Sequence, residues 1–267
     1  MINSFWRFLS IVVLNILVFS PVYAEDSESQ QSSALMPGAE EMSQEEIDRH
    51  IGRMGEVEEI PEGFEFSEAE TKLWLSDHLG NIKQPSRLYY EFVKTGSFED
   101  GFTDSVYLDI IRLNEDGTKN VVLDFFSGER KQPIHPDNVT NIQGNPVLGI
   151  YMQGDVYEMN RLTEGSWRHF MKMIKIALRD ATVEPVRFTF NGKEYEGDKI
   201  LINPYEKDPH RPDFIRFADK TYEFILSDEI PGTLYQIRTV IRDNRTDKTD
   251  DTALIEESIT LVEYSQS

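Results

Sequence analysis

Hydrophobic residues between Asn145 and Ala181 recur at steps of three and four, in two consecutive runs. The first run follows Asn145-Pro146 and contains Leu148, Tyr151, Met152, Val156, Met159 and Leu162, with the charged Asp155 at one position of the same spacing. The second run follows Gly165-Ser166 and contains Trp167, Phe170, Met171, Ile174, Ala177 and Leu178. Because such steps return to one side of an α-helix, the pattern predicts two amphipathic helices. Asn is a favoured helix cap and Pro a favoured first helical residue, so the first helix is predicted to begin at Pro146.

Residues on both sides of these helices alternate between apolar and polar with a period of two, which is typical of β-strands. The predicted strands are residues 88–93, 106–113 and 120–126 before the helices, and 186–190, 193–202, 222–226, 234–241 and 254–264 after them. Asp116-Gly117 and Asn191-Gly192 are favoured two-residue hairpin turns. Strands joined largely by hairpins predict an α+β fold with an antiparallel sheet, not a doubly wound parallel sheet.

Weaker signals predict the structure between these elements. Ser67 followed by Glu70 has the spacing of a capping box, and the apolar residues that follow at helical steps are Leu75, Leu79 and Ile82. We therefore expect a helix there. Residues 128–144 and 203–219 contain several prolines and are predicted loops. A loop as long as the second is typical of a functional or mobile segment.

The N-terminus has the order of a secretory signal. One basic residue precedes an apolar run from Phe8 to Ser20, and small residues ending at Ala24 precede the acidic Glu25-Asp26. This order predicts export, with a signal peptide at residues 1–24 that is cleaved after Ala24. An uncleaved membrane anchor is the alternative, although the apolar run is shorter than the roughly 20 residues that a span requires. The style of the signal favours a Gram-negative periplasm, and we expect no stable membrane span.

Residues 25–63 are rich in Ser, Gln and Glu and poor in aromatic residues, which predicts a disordered acidic tail. Within it, residues 43–54 have the capping spacing and the thin apolar stripe of a short helix. Such a helix could dock on the domain or on a partner, or could fray in solution. The remaining residues, 64–267, are expected to form a single α+β domain.

The net charge of −21 and the absence of cysteine exclude several classes of function. A strongly acidic protein repels nucleic acid and anionic lipid head groups, so we expect no nucleic-acid partner. Without cysteine there is no thiol catalysis, disulfide exchange, cysteine-ligated metal or lipid-modified cysteine. The acid excess also has a simpler use, because charge keeps proteins soluble.

Sequence motifs for catalysis and for cofactor binding are weak or missing. Ser166 is the nearest candidate for a nucleophile, but its position before a helix indicates a cap. His135-Pro136-Asp137 and Asp208-Pro209-His210 could meet in space and bind a divalent ion, although ordinary surface loops are the alternative. No phosphate loop or dinucleotide fingerprint occurs, so no cofactor and no metal is predicted.

Two charged sets have competing interpretations. Three acids on consecutive predicted strands would line a polar pocket if they shared one side of the sheet, and would otherwise face solvent: Glu91, Asp109 and Asp124. Four basic residues on the second helix could meet an acidic partner or form its solvated face: Arg168, Lys172, Lys175 and Arg179.

The segment from Tyr222 to Gly232, with Tyr235-Gln236-Ile237 after it, is similar to uncharacterised secreted proteobacterial proteins. The order of elements is a helix, an antiparallel run, a helical insert and further antiparallel strands. On an exported chain, this order resembles the half-barrel proteins that carry lipoproteins across the periplasm. The resemblance implies a curved antiparallel sheet packed on a helical insert, with an apolar cavity between them.

Aromatic residues on the strands and methionines on the helices are the candidates for lining such a cavity, although filling a core is their commoner use. The predicted ligand-binding set is Tyr90, Phe92, Tyr107, Phe126, Tyr151, Met152, Met159 and Phe170. The sequence thus favours a non-enzymatic periplasmic binding or carrier protein for an apolar small molecule or acyl chain. The alternative is a protein-interaction or assembly factor with a partner in the cell envelope, and the third reading is a hydrolase with an unrecognised acid or histidine site.

Overall fold

The computed structural model describes residues 65–132, 134, 138–242 and 253–266. Within them, one antiparallel sheet is formed by nine strands: β1 (Ser86–Thr95), β2 (Phe102–Leu113), β3 (Lys119–Phe125), β4 (Val139–Ile142), β5 (Val183–Phe190), β6 (Lys193–Ile202), β7 (Lys220–Leu226), β8 (Leu234–Arg242) and β9 (Ala253–Gln266). The predicted α+β fold, a curved antiparallel sheet on a helical insert, is confirmed. The predicted signal peptide (1–24) and acidic tail (25–63) lie outside the described residues.

The strand order across the sheet is β4-β3-β2-β1-β9-β8-β7-β6-β5. Neighbouring strands in each half of the sheet are also neighbours along the chain, as expected for hairpin connections. The last strand, β9, pairs with β1 on one side and with β8 on the other. The closing strand therefore joins the two halves into one continuous sheet.

Three α-helices accompany the sheet in the described part of the chain: α1 (Glu68–Glu70), α2 (Pro146–Thr163) and α3 (Trp167–Arg179). The predicted capping box is confirmed at Ser67 and Glu70, whose side chains each accept the other's backbone amide. The prediction that this helix continues to Ile82 is wrong, because it ends in a π-turn at Thr71–Leu75. Leu79 is buried instead through a tertiary contact, since its amide donates to the Gln143 carbonyl at 2.9 Å.

Both predicted loops contain structure that the sequence pattern did not indicate. Four residues of the first loop form β4, which pairs with β3 at the edge of the sheet. The second loop contains a 3-10 turn at Arg211–Phe214, and its Tyr205 and Phe217 are buried. The Tyr205 ring packs 5.5 Å from the Phe170 ring of α3. The second loop is therefore anchored to the core by aromatic side chains, while many of its other residues are exposed.

Alternation along the strands gives the sheet one buried face, which we call the inner face. On β1, Leu88, Tyr90 and Phe92 point inward, and successive residues between them point outward. Helix α2 packs on the inner face and buries residues along most of its length, whereas α3 buries only Phe170, Ile174 and Leu178. Burying one such large apolar side chain stabilises the fold by about 1.5–3 kcal/mol, so α2 and the inner face supply most of the cohesion.

Asn145 ties the start of α2 to three other parts of the chain. Its Oδ1 accepts the Val147 amide at 3.1 Å, which confirms the predicted cap. Its Nδ2 donates to the Tyr90 hydroxyl at 2.9 Å and to the Gly232 carbonyl at 3.0 Å. Its amide donates to Nδ1 of His78 at 3.1 Å, a ring whose pKa is lowered by burial. The entry point of α2 is thus fixed by hydrogen bonds and not by apolar contact alone.

Candidate functional site

Six of the eight predicted ligand-binding residues lie in the buried core: Tyr90, Phe92, Tyr151, Met152, Met159 and Phe170. The first two project from the inner face of β1, the next three from α2, and the last from α3. Each is at most 4% exposed to solvent. Side chains therefore occupy the space between α2 and the sheet.

The other two predicted residues lie in different places. Phe126 follows β3 in a left-handed conformation, and its ring lies 4.7 Å from that of Phe92, so it joins the inner group. Tyr107 lies on the opposite, outer face, where its ring stacks on Tyr89 at 5.0 Å. It does so because its neighbours Val106 and Leu108 are the residues of β2 that point inward. Both alternating sets on this strand contain large apolar side chains, so the pattern alone did not identify the inner one.

A buried ion pair lies at the centre of the interface between α2 and the sheet. The Asp155 carboxylate of α2 contacts the Lys220 ammonium at the start of β7, and these side chains are 0% and 3% exposed. The other Asp155 oxygen accepts the Tyr222 hydroxyl at 2.7 Å. Tyr222 in turn lies 3.1 Å from the Tyr205 hydroxyl. The carboxylate is therefore paired with a cation and hydrogen-bonded, as a buried charge requires.

A second group of buried polar atoms lies one turn earlier on α2. The Tyr151 hydroxyl donates to Glu257 of β9 at 3.3 Å and lies 2.9 Å from the Thr239 hydroxyl of β8. The other Glu257 oxygen pairs with the Lys94 ammonium of β1 at 3.2 Å. One helical residue thus links three neighbouring strands through side chains alone.

A third set of polar contacts between α2 and the sheet lies near the C-terminal end of the helix and is partly exposed to solvent. The Glu158 carboxylate accepts Lys94 at 3.0 Å and is also paired with Arg161, one turn further along the helix. Arg161 bridges to Glu99 in the turn between β1 and β2. Tyr151, Asp155 and Glu158 lie on one side of α2. We use the name polar seam for these three residues and the side chains joined to them by the contacts described above.

Burial and charge shift the pKa values of several groups in the polar seam. Burial raises the pKa values of Tyr151, Tyr205 and Tyr222 well above the usual range, so their hydroxyls stay protonated. Burial also raises the pKa of Glu257, although Lys220 and Lys94 oppose that change. Burial acts in the same direction on Glu158, but its hydrogen bonds to Arg161 and Lys94 outweigh it and lower its pKa to about 2.

The polar seam can hold α2 on the sheet, because Tyr151, Asp155 and Glu158 each contact a side chain on a strand. No pattern in the sequence indicates the polar seam as a unit. One signal was available, since Asp155 occupies a position in the otherwise apolar stripe of α2. Lys220, which pairs with Asp155, and Lys94, which pairs with Glu158 and Glu257, lie at or next to the ends of strands and carry no such signal.

The residues weighed for catalysis and metal binding have other contacts. Ser166 precedes α3 as predicted, but its side chain makes no cap hydrogen bond. Asp208 accepts from His169 Nε2 at 2.7 Å, while His135 and Asp137 lie outside the described residues. Across the part of the chain that the structure describes, no group of three or more potential ligands could hold a metal ion.

The four basic residues of α3, Arg168, Lys172, Lys175 and Arg179, are all exposed. Ile176 lies among them and is 43% exposed. The apolar side of the helix faces the core through Phe170, Ile174 and Leu178, so the basic set forms the outer side, as the spacing predicts. None of the helices in the described ranges combines the length and the apolar character needed to cross a membrane.

The solved structures to which this chain is similar include three proteins. Lipoprotein LppX from Mycobacterium tuberculosis is 8% identical, with a TM-score of 0.30 over 72% of this chain and 92% of that one. A LolA-superfamily protein from Nitrosomonas europaea is 6% identical, with a TM-score of 0.23 over 74% and 93%. LprF from Mycobacterium bovis is 13% identical, with a TM-score of 0.28 over 75% and 94%.

No family model and no curated protein matches this chain. At these identities and TM-scores, the likeness carries no information about function.

Proposed function

We propose that this protein is a non-enzymatic carrier that binds an apolar small molecule or acyl chain between α2 and the inner face of the sheet. The observation that carries the proposal is that one helix, α2, covers an inner face lined by aromatic and apolar side chains and is held there by the polar seam. In this proposal the protein acts in the periplasm, after cleavage of residues 1–24.

The side chains of α2 and of the inner face suit rearrangement around a ligand that replaces their contacts with one another. Met152 and Met159 are at most 1% exposed, and methionine adapts its shape to irregular partners more readily than branched residues do. Tyr90 and Phe92 present ring surface from the sheet side. An apolar chain that enters would replace contacts among these groups with contacts to itself, at little net change in apolar burial.

Entry requires α2 to move away from the sheet, and the polar seam determines where this is easiest. The N-terminal end of α2 is fixed by the buried Asn145 bonds, and its middle by the buried Asp155–Lys220 pair. Toward the C-terminal end the helix side chains that pair with the sheet become more exposed, from 21% for Glu158 to 54% for Arg161, and exposed ion pairs are worth about 0.2–1 kcal/mol. We therefore place the opening at the C-terminal end of α2.

The experiment that tests carrier function has two readouts. Mass spectrometry of organic extracts of the purified protein is expected to find a co-purified apolar species. The neutral probe diphenylhexatriene is expected to bind to the delipidated protein with saturable fluorescence. Absence of both signals would contradict carrier function.

A cross-link tests whether α2 must open. The chain lacks cysteine, so an Arg161→Cys/Glu99→Cys pair is unique and can be bridged with a short bismaleimide. Bridging should abolish probe uptake while the unbridged double variant still binds. The matched control is Arg187→Cys/Glu196→Cys, an exposed ion pair between β5 and β6 that does not involve α2. Uptake that survives the first cross-link would refute opening at this end.

A second candidate function, docking of an acidic envelope protein, is favoured by the exposed basic side of α3 with Ile176 among its charges. Charge reversal with Lys172→Glu/Lys175→Glu should then abolish capture of the partner. Carrier activity should be unchanged by the same substitutions, so the two functions can be told apart.

A further inference from the structure

The outer face of the sheet has a depression of about 320 Å³ where β1, β2 and β9 lie side by side. It is lined by Arg87, Tyr89, Tyr107, Glu263 and Ser265. The strand register brings them together, because Tyr89 stands opposite Tyr107 on one side and opposite Glu263 on the other, while Arg87 stands opposite Ser265. The site is therefore separate from the inner face and from the polar seam.

The depression contains a stacked pair of aromatic rings. The Tyr89 and Tyr107 rings are 5.0 Å apart and within 23° of parallel. Aromatic faces carry negative electrostatic potential and attract cations within about 6 Å of the ring centre. The protein itself shows this preference here, since the Arg87 guanidinium lies 5.2 Å from the centre of the Tyr107 ring.

The charged groups around the rings determine whether a cation or an anion is favoured as ligand. Arg87 is bound by both oxygens of Asp109, at 2.6 and 2.7 Å, so its charge is largely compensated. Glu263 is exposed at the edge of the depression. Burial and the nearby negative groups, Glu91 among them, raise the pKa of the Tyr89 hydroxyl. Together with the net charge of −21, these groups favour a cation and disfavour an anion.

We propose that this outer depression binds a small organic cation, of the quaternary or alkylated ammonium class, with the tyrosine pair as platform and Glu263 as counter-ion. A quaternary ammonium has no N–H to donate, so ring faces and a carboxylate at moderate distance suit it better than a tight hydrogen-bonding cage. The proposal does not depend on carrier function at the inner face.

The test uses the full mature protein and two isosteric probes, choline and its neutral carbon analogue 3,3-dimethylbutan-1-ol, followed by saturation-transfer-difference NMR. Choline is expected to bind saturably and roughly tenfold more tightly than the neutral analogue, with binding that weakens as salt is added. Tyr89→Leu and Glu263→Gln should each weaken choline binding roughly fivefold or more. The matched control, Tyr195→Leu, removes a tyrosine that stacks on Phe188 at the other end of the sheet and should leave choline binding unchanged.

Several outcomes would overturn the proposal. Equal binding of choline and its neutral analogue would show an apolar site without charge selection. Methyl glucoside serves as a third probe, and its binding without binding of choline would show a saccharide site. Absence of a choline signal, or a signal that Tyr89→Leu leaves intact while the variant keeps its native circular dichroism, would exclude this location. Choline and its neutral analogue are not used in the diphenylhexatriene assay for carrier function. A negative result with them therefore leaves the carrier proposal unaffected.

Discussion

The Asp155 carboxylate and the Lys220 ammonium form an ion pair that is almost completely withdrawn from solvent, with side chains 0% and 3% exposed. The free-energy cost of desolvating two buried charges offsets most of their electrostatic attraction. An apolar pair of similar volume would therefore stabilise the fold at least as well. The ion pair contributes positional specificity, because only one placement of α2 on β7 brings both charges and the Tyr222 hydroxyl together. We infer that it sets the register of α2 on the sheet.

Removing one member of this pair is expected to cost more than removing both. Lys220→Met leaves a buried carboxylate without its cation and should lower the free energy of unfolding by about 3–5 kcal/mol. Asp155→Leu/Lys220→Met should cost less than Lys220→Met alone. Urea unfolding gives the values, with Arg187→Met of the exposed Arg187–Glu196 pair as control, at about 1 kcal/mol or less. A single variant no worse than that control would contradict a buried, charged pair.

Glu257 should make the protein less stable as pH rises. Its pKa is raised in the folded state, so between the ordinary glutamate pKa and the raised value the folded protein binds more protons than the unfolded chain. In that window stability falls with increasing pH, and the contribution is fully present only below the unfolded pKa. Glu257→Gln should flatten this part of the stability profile, measured by urea unfolding at a series of pH values. An unchanged slope would show that another group is responsible.

Glu158 should make the protein more stable as pH rises, in a lower pH range than Glu257. Its pKa is lowered to about 2 in the folded protein, so its contribution is present above the ordinary glutamate pKa and is lost as pH falls toward 2. Glu158→Gln is expected to cost about 2 kcal/mol at neutral pH, discounted for its partial exposure, and nothing near pH 2. Thermal melts across this range measure the difference. A constant cost at every pH would mean that the substitution acts through packing.

Two helix caps with different contacts provide a matched comparison. Asn145→Ala removes the cap bond to Val147 and leaves the Tyr90 hydroxyl and the Gly232 carbonyl without their partner, so we expect a loss of about 2–4 kcal/mol. Ser166→Ala removes a side chain that makes no cap bond and should cost about 0.5 kcal/mol or less. Chemical denaturation of the two variants tests the difference. Equal losses would mean that the Asn145 bonds contribute little.

Alanine substitutions at Gly232 and Gly117 distinguish the cost of backbone strain from the cost of steric overlap. A Cβ at this position would lie 2.6 Å from a methyl carbon of Leu88, which is fully buried, and the residue has a φ of +75°. Gly117 also has a positive φ, of +89°, but a Cβ there would meet nothing within 4 Å. Gly117→Ala should therefore cost about 1 kcal/mol and Gly232→Ala about 3 kcal/mol. If thermal unfolding showed similar losses, overlap with Leu88 would not matter.

The sequence determined those features that depend on neighbours along the chain. A cap and a proline at Asn145-Pro146 specify where α2 begins, because they satisfy or replace its first free amide groups. Alternation with a period of two specifies strands, because one face must be buried. Six of the eight residues selected from the sequence as ligand-binding candidates lie in the core, two on β1 and four on the helices, and their binding role stays a prediction.

Only the tertiary structure decided which side of β2 faces α2, and it placed Tyr107 outside. It also formed β4 and ended the first helix at Leu75, because in both places contacts with distant residues replaced the local pattern. The polar seam belongs to the same class. Asp155 and Lys220 are 65 residues apart, and their attraction exists only where the sheet order brings β7 under α2. A charge on an apolar stripe can be read from the sequence, but its partner depends on which strands become neighbours.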